Sequence, residues 1–116
     1  LVNIERQKAG LAPFTYSEEL SKVARIKSQD MANKNYFSHN SPTYGSPFDM
    51  MKSFGIKYRT AGENIAKGYF SAESVVKGWM NSSGHRANIL NPNFGTIGVG
   101  YVKANATTYW TQMFTD

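Results

Sequence analysis

Apolar residues recur at helical spacing in the first third of the chain. Residues 1–9 predict a short helix that ends at Gly10, because glycine readily adopts the left-handed conformation that closes helices. Thr15, with a glutamate three residues later, predicts the cap of a second helix that runs to about Asn35. The apolar stripe of this helix comprises Leu20, Val23, Ala24, Lys27 and Met31. Lys27 interrupts the stripe, and we expect its alkyl stem to lie along the edge of the core.

Three more helical segments are predicted further along the chain. A serine–proline pair at 46–47 predicts the cap and first turn of one helix, which ends at Gly55. Ser71 predicts the cap of the next, which closes at Gly84 and has a buried stripe of Val75, Val76, Trp79 and Met80. Residues 85–90 predict a short turn or helix.

Alternation with a period of two marks the strands. Residues 96–103 and 107–114 alternate β-branched or aromatic residues with others and predict a hairpin. Gly98 and Gly100 indicate that another element packs tightly against the first of these strands. Residues 56–69 predict one more strand or extended segment. With the helices ahead of the hairpin, this order predicts an α+β fold.

The composition describes one globular domain. The chain has 116 residues, 41% hydrophobic and 14% aromatic, and we treat residues 1–116 as a single domain. The absence of cysteine excludes disulfides and thiolate metal sites. No stretch approaches the roughly 18 apolar residues of a membrane span. Because Leu1 opens directly into a helical pattern, with no signal peptide ahead of it, we expect a targeting segment upstream in a longer protein.

The net charge of +5 comes from basic residues spread along the whole chain. Acidic residues interrupt them, whereas a nucleic-acid-binding arm typically shows a dense basic run. The charge therefore indicates a solvated basic surface, and we expect no nucleic-acid partner.

Two histidines, His39 and His85, and one glutamate, Glu63, are the candidate chemistry of the chain. Each histidine follows a predicted helix, where loops project side chains over a scaffold. Glu63 lies among small residues. Two imidazoles and a carboxylate can form a zinc shell with an open position, or a proton-transfer pair. The chemistry alone leaves a second interpretation open, in which backbone carbonyls satisfy two unrelated structural histidines.

The same residues lie in motifs that span nearly the whole chain. In order, these are Asn3-x-x-Arg6, Gly10-Leu11-x-Pro13, Asp30-Met31, Tyr36-Phe37-Ser38-His39, Gly62-Glu63-Asn64-Ile65-Ala66, Trp79-Met80-Asn81-Ser82-x-Gly84-His85-Arg86-x-Asn88-Ile89-Leu90 and Gly98-Val99-Gly100. The chain thereby resembles the bacterial branch of the CAP superfamily, which comprises cysteine-rich secretory, antigen 5 and pathogenesis-related 1 proteins. The resemblance implies an α-β-α sandwich with a small, mostly antiparallel sheet between helical layers.

The resemblance also implies a cavity. In many members two histidines and two glutamates line it, and three of these positions fall on His39, Glu63 and His85. The second glutamate is replaced by Ser82, so the set of four is reduced to three. The implied ligand cavity further includes Ser38 and Asn64, and some family members bind a divalent cation, often zinc, through the positions of His39 and His85.

Three functions follow as hypotheses. The first is a non-enzymatic module whose cavity binds a peptide, lipid or cell-wall ligand. The second is a metal-dependent hydrolase or peptidase that uses His39, Glu63 and His85 as catalytic residues. The third, which the charge pattern disfavours, is a nucleic-acid binder. The resemblance implies secretion or cell-surface placement, and we expect a monomer with no transmembrane segment in this chain.

Overall fold

The computed structural model describes residues 1–116 as five helices and a four-stranded mixed sheet. The elements, in chain order, are α1 (Val2–Lys8), β1 (Thr15–Tyr16), α2 (Glu18–Lys34), α3 (Pro47–Ser53), β2 (Ala61–Lys67), α4 (Ala72–Met80), α5 (Ser83–Ile89), β3 (Thr96–Ala104) and β4 (Thr107–Thr115). The strand order is β1-β3-β4-β2, and only the short β1–β3 pair is parallel. The predicted α+β fold with a mostly antiparallel sheet is confirmed.

Helices cover both faces of the sheet. On one face α2 and α3 bury a cluster of Leu20, Val23, Ala24, Met50, Met51 and Met113. On the other face α4 and α5 close a cluster of Phe14, Ala66, Val75, Trp79, Ile89, Phe94, Ile97 and Phe114. The resulting three layers are the predicted sandwich, and β2 is left as an edge strand between the two helical layers.

Most predicted helix ends are confirmed, and two are wrong. Ser17, rather than Thr15, caps α2, since its hydroxyl accepts a hydrogen bond from the Leu20 N–H at 3.0 Å. Thr15 instead belongs to β1, which was not predicted because a two-residue strand has no readable period. Helix α4 ends at Met80 with Asn81 as its C-cap, and Gly84 lies inside α5 rather than closing α4.

The tight packing predicted at the glycines of β3 is confirmed. A Cβ atom at Gly98 would lie 2.4 Å from the Leu20 carbonyl carbon, and one at Gly100 would lie 2.4 Å from that of Ala24. The backbone of α2 therefore rests directly on β3, at a separation that only glycine permits.

Candidate functional site

Consecutive residues of β2 point to opposite faces of the sheet and hold the two histidines. Glu63 points toward the α2 layer, where its carboxylate meets the His39 ring. Asn64 points toward the α4–α5 layer, where its amide donates to the His85 carbonyl at 3.1 Å. This alternation follows from the two-residue period of a strand. The candidate site is therefore built around β2, with one histidine on each side.

His39 and Glu63 form a direct pair. The Nδ1 atom of His39 lies 2.8 Å from Glu63 Oε1, with 52% of the histidine side chain exposed and 1% of the glutamate side chain. Burial raises the pKa of Glu63, while the hydrogen bond from His39 and the charge of Lys27 oppose that rise. The second carboxylate oxygen, Oε2, is buried without a hydrogen-bond partner. The carboxylate thus orients the imidazole and leaves Nε2 as the ring nitrogen available to a ligand.

A buried lysine supports the loop that carries His39. Lys27 is 1% exposed, and its ammonium donates to the His39 carbonyl at 2.9 Å. Beyond the alkyl stem that the sequence places at the core edge, the charged end is buried as well. Burial lowers the pKa of Lys27, and the carboxylates of Glu63 and Asp30 oppose that shift. Asp30 in turn accepts from the Ser41 hydroxyl, which fixes the far end of the same loop.

Replacing Lys27 tests this support. We expect Lys27→Met to destabilise the fold by roughly 2 kcal/mol, because the methionine fills the volume while the His39 carbonyl loses its donor. Loss of the lysine charge also raises the pKa of Glu63 further. Urea unfolding measures the first effect. Lys22→Met, on the exposed face of α2, is the matched control and should leave stability within about 0.5 kcal/mol. Equal stability of the two variants would contradict the role of Lys27.

His85 is paired with Ser82 at the start of α5. Its Nδ1 atom lies 2.9 Å from Ser82 Oγ. Ser82 occupies the cap position of α5, yet its side chain makes no capping bond, since the hydroxyl is directed to the ring. Asn88 donates to the Glu63 carbonyl at 3.2 Å and to Asn64 Oδ1 at 2.9 Å, which fastens α5 to β2.

The pKa of His85 depends on its own burial and on the charge of His39. Burial lowers the pKa of His85 first, and the charge of His39 lowers it further. We expect an NMR titration to give His85 a midpoint below the 6.5 of an unperturbed imidazole. His39→Gln should raise this midpoint but leave it below 6.5, because burial remains. A midpoint unchanged in His39→Gln would show that the two rings do not interact.

A cleft of about 640 Å³ opens beside the second half of β2. His85 and Ser82 lie on its α5 side, and Phe37, from the loop that carries His39, lies on its α2 side. Trp79 also lines it, while its indole N–H donates to the Ile65 carbonyl at 3.1 Å. The cleft therefore lies between the two helical layers, where the edge of the sheet is accessible.

The donor set does not fit a three-ligand metal shell. No three His, Cys, Asp or Glu side chains are grouped so that they could hold a metal ion. The carboxylate of Glu63 is engaged by His39 through one oxygen, and its other oxygen is buried. A zinc ion bound through His39 and His85 alone stays a prediction.

The predicted cavity residues occupy different positions. Ser82 and His85 line the cleft. Asn64 is fully buried and supports α5, whereas Ser38 is exposed beside His39, where its hydroxyl accepts from the Asn40 N–H. Arg86 is exposed and forms no ion pair.

Sequence reasoning missed four contributors to the site: Phe37, Lys67 and Tyr69 in the cleft wall, and Lys27 beneath His39. For Lys27 a signal was present, because a lysine within an apolar stripe needs a buried partner for its charge. The other three are surface residues of loops or strand ends, and no spacing in the sequence distinguishes them.

The comparisons cover nearly the whole chain. The sequence model of the cysteine-rich secretory protein family (CAP) matches residues 1–114. The uncharacterized protein YkwD of Bacillus subtilis (strain 168) is 69% identical over 114 residues, which are 98% of this chain and 44% of that protein. The uncharacterized membrane protein YlbC of the same organism is 40% identical over 114 residues, which are 98% of this chain and 32% of that protein.

A solved structure agrees with these matches. The crystal structure of an extracellular protein containing an SCP domain from Bacillus anthracis str. Ames has a TM-score of 0.92 and 38% identity, over 98% of this chain and 37% of that chain. The chain thus spans less than half the length of each of these relatives. No helix in the structure combines the length and apolarity needed to cross a bilayer.

Proposed function

Because the chain belongs to the CAP family of cysteine-rich secretory proteins, we propose that it is a non-enzymatic binding module whose cleft beside β2 holds a ligand of the cell envelope. Secreted or cell-surface placement is part of this proposal. It is supported by the similar protein of Bacillus anthracis, which is described as extracellular.

One observation carries the proposal: the parts of a catalytic set are present but divided between two pairs. Ser82 and His85 supply a hydroxyl and a base at 2.9 Å, yet no carboxylate orients the His85 ring. Glu63 does orient an imidazole, but that imidazole is His39, whose partner set contains no hydroxyl. A nucleophile, its base and the group that orients the base must act in line, and here they do not. Fixed polar groups on an accessible cleft are still well suited to binding.

An NMR titration with cell-envelope fractions tests the proposal. We expect muropeptides or another envelope fraction to shift the imidazole resonances of His85 and His39. Amides of Thr15 and Tyr16, in β1 at the opposite edge of the sheet, should stay unchanged and serve as the internal control. If no envelope fraction shifts either histidine, the proposal fails.

A single observation, the His39–Glu63 pair, favours the hydrolase alternative. A buried carboxylate bound to a half-exposed imidazole is the arrangement that a general base requires. The test is elemental analysis of the purified protein together with digestion of a peptide library. If His39→Ala and His85→Ala leave both metal content and cleavage unchanged, the alternative is excluded.

A further inference from the structure

The register of β2 with β4 shows which backbone groups of β2 face the free edge of the sheet. The Gly68 N–H donates to the Thr108 carbonyl, and the Asp116 N–H donates to the Thr60 carbonyl. These bonds continue the β2–β4 register and place the even-numbered residues of β2 in hydrogen-bonded pairs with β4. The backbone groups of the odd-numbered residues therefore point away from β4, toward the free edge.

Only part of this edge is covered. The Glu63 carbonyl accepts from the Asn88 side chain, and the Ile65 carbonyl accepts from the Trp79 indole. The Ile65 N–H and both backbone groups of Lys67 have no hydrogen-bond partner in the structure. Ile65 and Lys67 both line the cleft. The cleft thus offers two donors and one acceptor along an extended backbone, which is what a short added strand requires.

One wall of the cleft, formed by Tyr69, is positioned independently of a ligand. Tyr69 is fixed because its carbonyl accepts from Thr108 Oγ1 and Trp110 Nε1, at 2.5 and 2.8 Å. Its ring packs on Gly78, where a Cβ atom would lie 2.6 Å from the Tyr69 hydroxyl oxygen. Phe37 is 47% exposed on the opposite side. Two aromatic walls therefore flank the open part of the edge.

The residues that line the cleft carry a positive charge and no negative charge. Lys67 is its only charged residue at neutral pH, and no carboxylate lines the cleft. Glu63, the nearest acid on the strand, is buried and held by His39. A ligand that carries carboxylates therefore meets an unopposed cation, and a basic ligand meets repulsion.

We propose that the cleft binds an extended acidic peptide segment, which adds to β2 as a short strand through the Ile65 N–H and the backbone of Lys67, with a peptide carboxylate at the Lys67 ammonium. This inference rests on the proposed binding function and names the class of ligand. The peptide backbone supplies the acceptors and the donor that the edge lacks, and its alternate side chains face the two aromatic walls.

The experiment uses an N-acetylated, C-amidated hexapeptide that alternates valine and glutamate. Binding is followed by ¹H–¹⁵N NMR on this chain. Two control peptides are compared with this acidic peptide. The first has lysine in place of every glutamate, and the second is N-methylated at the two central amides. Lys67→Glu is the test variant. Lys103→Glu makes the same charge change on the exposed end of β3 and is the matched control.

We expect the acidic peptide to shift the amides of Ile65, Lys67 and Gly68. The lysine counterpart and the N-methylated counterpart should each bind at least 10-fold more weakly. Lys67→Glu should weaken binding of the acidic peptide at least 5-fold, and Lys103→Glu should leave it within 2-fold. Equal binding of the acidic and lysine peptides, or no effect of N-methylation, would overturn the inference.

Failure of the inference can be separated from failure of the proposed function. If a glycan or teichoic acid fraction shifts His85 while none of the peptides binds, the cleft is a binding site for another ligand and only the inference is overturned. If neither peptides nor envelope fractions shift any cleft residue, both are overturned.

Discussion

Gly100→Ala is expected to destabilise the protein by about 3 kcal/mol or more. The added methyl would lie 2.4 Å from the Ala24 carbonyl carbon and 2.5 Å from the Arg25 nitrogen, both of them backbone atoms of α2. Neither can yield by changing a rotamer, so the helix must move away from the sheet. That movement also loosens the packing of the core cluster between α2 and the β3–β4 hairpin.

Gly95→Ala is the matched control. It lies just before β3, does not have a positive φ angle, and a Cβ atom there meets nothing closer than 4.0 Å. Urea unfolding followed by circular dichroism compares the two variants. We expect Gly95→Ala to stay within about 0.5 kcal/mol of the parent. If Gly100→Ala did the same, the direct contact between α2 and β3 would be refuted.

Arg6→Met is expected to destabilise the protein by about 3–4 kcal/mol. Arg6 is 3% exposed, and its guanidinium donates to four backbone carbonyls, those of Ala12, Ile89, Asn91 and Phe94, at 2.7 to 3.2 Å. It also lies 3.9 Å from the centroid of the Phe14 ring. Methionine fills much of the volume but leaves these carbonyls without their donor.

Two further variants separate charge from geometry. Arg6→Lys keeps the charge but cannot reach all four carbonyls with one ammonium, so we expect an intermediate loss of stability. Lys8→Met removes the same charge from the exposed side of α1 and should change stability by less than about 0.5 kcal/mol. A loss in Lys8→Met equal to that in Arg6→Met would show that net charge, and not the carbonyl cluster, is responsible.

The fold followed from the sequence wherever a period was long enough to detect. The stripe of α2 and the alternation of β3 and β4 gave these elements within one or two residues of their observed bounds. The glycines of β3 gave the contact with α2. What failed was local: Thr15 and Ser17 are both able to cap a helix, and only the pairing of Thr15 with Thr96 decides between them.

The sequence supplied the candidate residues of the site, and only the structure supplied their arrangement. Motif resemblance pointed to His39, Glu63 and His85, and the structure joins the first two directly. It also shows that β2 divides the histidines between its faces, because Glu63 and Asn64 alternate. The role of Arg6 was equally hidden: a motif position in α1 gives no sign of partners that lie 83 to 88 residues away.

That separation has a consequence for the order of folding. Arg6 can meet the carbonyls of Ile89, Asn91 and Phe94 only after the chain has closed a loop of more than 80 residues. We expect these contacts to form after the folding nucleus and to add little to the stability of the transition state. We therefore expect Arg6→Met to speed unfolding and to leave the folding rate nearly unchanged, with α1 closing onto the domain after the rest has folded.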